Sequence, residues 1–158
     1  MTDTDMTTDS NTSAGELTFT RVFNAPRELV FACMIDPNHL THFWGPVGTS
    51  APLDRFVIEP RPGGRFDSVI VNDADGSEYP THGVFVEVVA PERLVWREPQ
   101  LDMTNTSTFT DLGDGRTEVT IHQSNVPEMF RSGEAQAGFE SSLDRFEAYL
   151  STSPTAGS

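Results

Sequence analysis

The chain has 158 residues, 24 of them acidic against ten basic, for a net charge of −14 and a pI near 4.4. Such a chain repels phosphate backbones and anionic headgroups, which argues against nucleic-acid and membrane-surface partners. Every basic residue is an arginine, so no side-chain amine is present for Schiff-base catalysis, and with Cys33 as the only cysteine neither an intrachain disulfide nor a thiolate metal cluster can form.

The two ends, MTDTDMTTDSNTSAG and STSPTAGS, hold too little apolar surface to offset their ordering entropy. They are expected to be disordered flanks over 1–15 and 151–158, with one folded domain over 16–150. The N-terminus lacks a basic region followed by an apolar one, and no apolar run approaches the ~18–20 residues of a membrane span. A cytoplasmic location is the expectation.

The first element, Glu16 to Phe23, is rich in β-branched and aromatic residues and reads as a strand. Pro26 then suits the first turn of a helix carrying an apolar stripe of Leu29, Val30, Cys33 and Met34. Cys33 in that stripe reads as a buried, inert thiol. Asp36-Pro37 ends this helix and opens a second short one through Trp44, which Gly45-Pro46 stops. From Leu53 to Ser124 six strand-like runs follow, DRFVIEP, RFDSVIV, SEYPTHGVFVEVV, RLVWRE, TNTSTFTDL and TEVTIHQS, separated by turn residues. Pro80 and Gly83 mark a bulge or bend in the longest run. A final helix from about Glu134 to Leu150 presents Phe139, Leu143, Phe146 and Leu150 on one face.

The order β-α-α-β-β-β-β-β-β-α predicts an α+β domain, a curved seven-stranded antiparallel sheet around a long C-terminal helix. One face of the sheet must be covered. A single helix ~10–12 Å wide cannot fill a strongly curved face, so a cavity is expected between them.

The blocks RVFNAPRELVF, DPNHLTHFWGP, RPGGRF, DGSEYPTHGVFVEVVAPERLVW and GFESSLDRFEAYL, in this order, resemble the bacterial homologues of the heat-shock-protein ATPase activator. That family belongs to the START-like, or SRPBCC, superfamily, with the birch-pollen-allergen-type binders and polyketide cyclases. The resemblance spans about Leu17 to Leu150 and implies a helix-grip fold with an apolar cavity. It implies a place near the cavity mouth for Trp44. Two departures stand out: the co-chaperone that names the family has two domains where this chain has room for one, and Phe139 stands where the family often has tryptophan.

Strand alternation assigns further side chains to the cavity face. His82, Val84, Val86 and Val88 share one parity, as do Leu94, Trp96 and Glu98. Phe66 goes with Ile70, Ser107 with Phe109, and Ile121 with Val119 and Gln123; Phe139 and Leu143 descend from the helix. His82 among valines is the leading polar candidate, and Glu98 would be its acid or base partner if their strands adjoin. The ligand-binding set is thus Trp44, Phe66, His82, Val84, Trp96, Phe109, Ile121, Phe139 and Leu143, with His82 and Glu98 as catalytic candidates. His39 and His42, three residues apart, lack a third ligand and read as surface histidines, so neither a metal nor another cofactor is expected. His122 has the outward parity. RPGGRF is a hairpin and not a phosphate loop, and no G-x-S-x-G elbow occurs.

The leading expectation is a binding module for a small hydrophobic or amphipathic molecule. A cyclase-, hydratase- or isomerase-type enzyme using His82 and Glu98 is the alternative. A third reading, docking on a chaperone, is suggested by the resemblance and weakened by the single-domain length. Homodimerisation is left open by the residues.

Overall fold

The computed structural model describes residues 15–152. The expected flanks over 1–15 and 151–158 fall for the most part outside the described residues.

Strand β1 (Leu17–Phe23) leads into helix α1 (Arg27–Cys33). Pro26 is its N-cap, so the helix begins one position later than the sequence suggests, and the Pro26 carbonyl accepts the Leu29 and Val30 N–H groups at 3.0 Å. Helix α2 is only Pro37–Leu40; the Asp36 carboxylate caps it by accepting the Asn38 N–H at 2.9 Å. The expected continuation to Trp44 is a chain of turns, its last N–H bonded to the Leu40 carbonyl.

Eight strands make up the sheet: β1, β2 (Thr49–Ser50), β3 (Val57–Ile58), β4 (Arg65–Asn72), β5 (Glu78–Val89), β6 (Arg93–Glu98), β7 (Met103–Gly113) and β8 (Arg116–Ser124). Their order is β1-β8-β7-β6-β5-β4-β2, with β3 also on β4, and every pairing is antiparallel. The described residues thus hold one strand more than expected, the short β2. The DRFVIEP run is mostly not strand: Leu53–Arg55 is a 3-10 turn and only Val57–Ile58 pair, between Pro52 and Pro60, which have no N–H to donate. The β7–β8 hairpin closes through Asp114-Gly115, both at positive φ (58° and 73°), the geometry that matches the twist of the flanking strands.

Helix α3 (Gly133–Leu150) starts at Ser132, whose hydroxyl accepts the Ala135 N–H at 3.0 Å. It crosses the concave face with Leu143, Phe146 and Leu150 buried. The Phe146 ring stacks on Phe43 with centroids 4.2 Å apart and lies tilted against Phe23 at 4.8 Å. Two arginines tether the helix from either side. Arg21 on β1 reaches Asp144 at 2.8 Å and Glu147 at 3.3 Å, and Arg145 donates to the carbonyls of Gly45 (2.8 Å) and Pro46 (3.2 Å). No helix among the described residues is long and apolar enough to cross a membrane.

Candidate functional site

The registers of the sheet build the inner wall row by row. One row runs Phe85, Trp96, Asn105, Gln123, Leu17 across five strands, and the next runs Val88, Leu94, Ser107, Ile121, Phe19. On β7 the inward Met103, Asn105, Ser107 and Phe109 alternate with Thr104, Thr106, Thr108 and Thr110, and the burial alternates with them. On β4 the inward residues are Phe66, Ser68 and Ile70.

Between this wall and α3 lies a cavity of about 500 Å³, a size that suits a drug-sized molecule. Its mouth follows from the pairing. Residues 78–82 of β5 pair with β4, but β6 joins β5 only from Val84 opposite Arg97, so the other edge of that segment is open. The exposed side chains of Tyr79, Leu101 and Phe130 stand around this opening. A second space, about 460 Å³, adjoins the first and shares Trp44, Gln123 and Phe139 with it.

Most of the expected apolar residues do converge here. Trp44, Phe66 and Trp96 form one aromatic cluster, with Phe66 edge-on to Trp96 at 4.8 Å and Trp44 tilted to Phe66 at 5.4 Å. Phe109 and Ile121 lie deeper, and Phe139 and Leu143 close the cavity from α3. The Trp44 indole is fixed by donating to the Ser68 hydroxyl at 3.1 Å, which in turn shares a 2.7 Å hydrogen bond with Thr81 across the β4–β5 pair.

Val84 is corrected, and His82 lines the cavity only at its rim. Phe66 faces the cavity opposite Gly83, so Gly83 and Phe85 carry the inward parity of β5, and Val84 and Val86 turn outward. Space at Gly83 is tight: a Cβ would sit 3.1 Å from the Phe66 carbonyl oxygen and 3.3 Å from that of Arg97. The register shift between Phe85 and Glu87 then restores Val88 to the inner side. His82 stands at the rim, its side chain 55% exposed, with Nδ1 3.6 Å from Asp67, a carboxylate that Arg65 also holds at 2.6 Å. Glu98 keeps the inward parity and follows Arg97, so it falls opposite Gly83. His82 and Glu98 therefore point to opposite faces of the sheet, and the expected acid–base pair does not assemble.

Glu98 nonetheless has a distinctive setting. Burial in the apolar wall pushes its carboxyl above the ordinary value of 4.5. Beside it the wall carries a polar patch for which the sequence offered only partial signals. Asn105, 3% exposed, donates to the Ser107 hydroxyl at 3.2 Å and accepts from Gln123 Nε2 at 3.1 Å. Ser107 and Gln123 had the expected parity; Asn105 was missed, although the threonine alternation places it on the same face.

The remaining histidines divide. His122 is outward, near Glu16. His39 is not at the surface as expected: it is buried, and its Nδ1 shares a 2.5 Å hydrogen bond with the Tyr149 hydroxyl. His42 stacks on the Tyr149 ring at 4.9 Å. His39 is thereby tied into the packing of α2 on α3, while His42, beyond the end of α2, stays exposed as expected, and no group of three metal-ligating residues occurs among the described residues.

An antiparallel sheet curved around a C-terminal helix, with a mostly apolar cavity between them, defines a helix-grip protein. The chain belongs to the family described as activator of Hsp90 ATPase homolog 1-like protein, whose model matches residues 24–151. Among solved structures it is similar to a Chromobacterium violaceum protein at 26% identity, with a TM-score of 0.75, covering 84% of this chain and 95% of that one. A Rhodobacter sphaeroides protein shares the fold at 21% identity and TM-score 0.79, over 89% and 95% of the two chains. So does the AHSA1 protein from Silicibacter pomeroyi, at 23% identity and TM-score 0.72, over 88% and 99%. No curated protein matches the chain.

Proposed function

We propose that the protein binds a small hydrophobic or amphipathic molecule in the cavity between the sheet and α3, without covalent chemistry. The observation that carries this reading is the space itself. Side chains that converge on one point normally fill it at close-packed density. Here Trp44, Phe66, Trp96, Phe109, Phe139 and Leu143 surround about 500 Å³ and a mouth instead. Apolar surface of that extent is a standing cost unless something covers it. The opposite parities of His82 and Glu98 in the sheet favour this reading over one that uses the two as an acid–base pair.

The test is titration with the neutral, environment-sensitive dye Nile red, in parallel with native mass spectrometry of gently purified protein. Wild type is expected to give saturable, blue-shifted emission at one site, and Leu143→Trp, which fills the space from α3, to lose it while keeping its unfolding temperature. Emission from wild type no stronger than from Leu143→Trp would overturn the proposal. So would dye binding that the substitution leaves intact.

A further inference from the structure

The polar patch in the cavity wall allows a statement about what the cavity takes. This rests on the cavity being a binding site, as proposed above.

Asn105, Ser107 and Gln123 satisfy one another only in part. A primary amide carries two donors and a hydroxyl one. Asn105 spends one N–H on Ser107, and Gln123 spends one on Asn105. Among the described residues no partner is present for the second N–H of either amide or for the Ser107 hydroxyl proton. Three donors are therefore free in a wall whose other members are mainly aromatic and aliphatic. In the cavity water can meet these donors, and a ligand that displaces it must supply an oxygen in its place or leave them without an acceptor at a cost.

The charge of that oxygen is constrained as well. Neither the main cavity nor the adjoining space is lined by an arginine, and the acidic members are Glu98 and Glu134. Glu98 lies opposite Met103, two residues from Asn105 on β7, and is therefore a diagonal neighbour of the patch. An anion at the patch would be desolvated with no arginine to compensate it, the lining's histidine, His82, standing half-exposed at the rim beside Asp67, and it would lie next to a carboxyl that burial already disfavours as an anion. Amide and hydroxyl donors suit a neutral acceptor, a ketone, ester or ether oxygen. The aromatic rings on both sides suit a flat ring system.

We infer that the ligand is a neutral, ring-containing hydrophobic molecule whose carbonyl or ether oxygen is held by Asn105, Ser107 and Gln123, and that carboxylates of the same shape are excluded.

Three probes of nearly one shape separate the terms: 2-acetylnaphthalene, its C=CH₂ analogue 2-isopropenylnaphthalene, and 2-naphthoate. Binding is followed by the indole N–H signals of Trp44 and Trp96, the chain's two tryptophans, both of which line the cavity. The ketone is expected to bind about tenfold more tightly than the alkene, the worth of one to two neutral hydrogen bonds, and at least about tenfold more tightly than the carboxylate. Asn105→Leu should abolish the preference for ketone over alkene; Gln123→Leu is the second variant if the first does not fold. Alkene binding equal to ketone binding, or naphthoate binding tightest, overturns this inference and leaves cavity binding standing. If none of the three binds, the proposed function falls and the inference with it.

Discussion

Replacing Asn105 by leucine separates a wall built for stability from one built for recognition. The substitution removes two hydrogen bonds, to Ser107 and from Gln123. At about 1 kcal/mol each, the loss is about 2 kcal/mol. Leucine is close in shape, and burying it at a site that is 3% exposed contributes about 1.5–3 kcal/mol. The orphaned groups of Ser107 and Gln123 both line the cavity, where water can reach them. The two terms nearly cancel, so the variant should stay within about 1 kcal/mol of wild type, a shift in unfolding temperature of no more than about 2–4 °C. Urea denaturation of the two proteins side by side measures this directly. Destabilisation of more than about 3 kcal/mol would mean that Asn105 braces β6, β7 and β8 as a structural network, and the recognition argument would lose its premise.

Further outcomes follow from the same geometry. Phe146→Ala deletes the ring that packs on Phe23 and Phe43 under α3 and should cost about 3–5 kcal/mol by chemical denaturation. Because the folded chain holds the Glu98 proton more tightly than the unfolded chain does, the sign of its linkage is set: the wild type loses stability as pH rises from 4.5 through the raised folded value. Glu98→Gln should therefore gain on wild type over that interval in melting temperatures recorded across pH, and a gap that shrinks as pH rises would refute the burial of the carboxyl. Cys33 is fully buried, and burial, with a smaller contribution from Asp36, pushes its thiol up to about 12. It should resist a disulfide-exchange reagent at pH 8 in the native protein and react fully in denaturant.

Much of the architecture was written in local chemistry. The alternation of threonines with Met103, Asn105, Ser107 and Phe109, the Asp-Gly turn, and the spacing of Phe139, Leu143, Phe146 and Leu150 each declare an element and its inner face. Those patterns work because a strand repeats every two residues and a helix every 3.6, whatever surrounds them. They placed most of the aromatic lining of the cavity correctly. The failures came where periodicity no longer decides. In β5 the histidine–valine alternation looked like a buried face, yet the parity is set by pairing with β4, where Phe66 packs closely over Gly83, and by a register shift three residues further on. His39 looked like a surface residue because nothing near it in sequence shows that Tyr149, 110 positions later, covers it.

The sequence by itself determined the longer elements, their order, the antiparallel meander and the helix that covers it, since each depends on residues within a turn or two, but not the short strands β2 and β3 or the end of α2. Only the tertiary structure decided which polar groups meet: that His82 and Glu98 face apart, and that Asn105, Ser107 and Gln123 come together with donors to spare. The reason is physical. Pairing register and strand bulges are settled by packing between distant segments, and a slip of one residue reverses the face of every side chain beyond it.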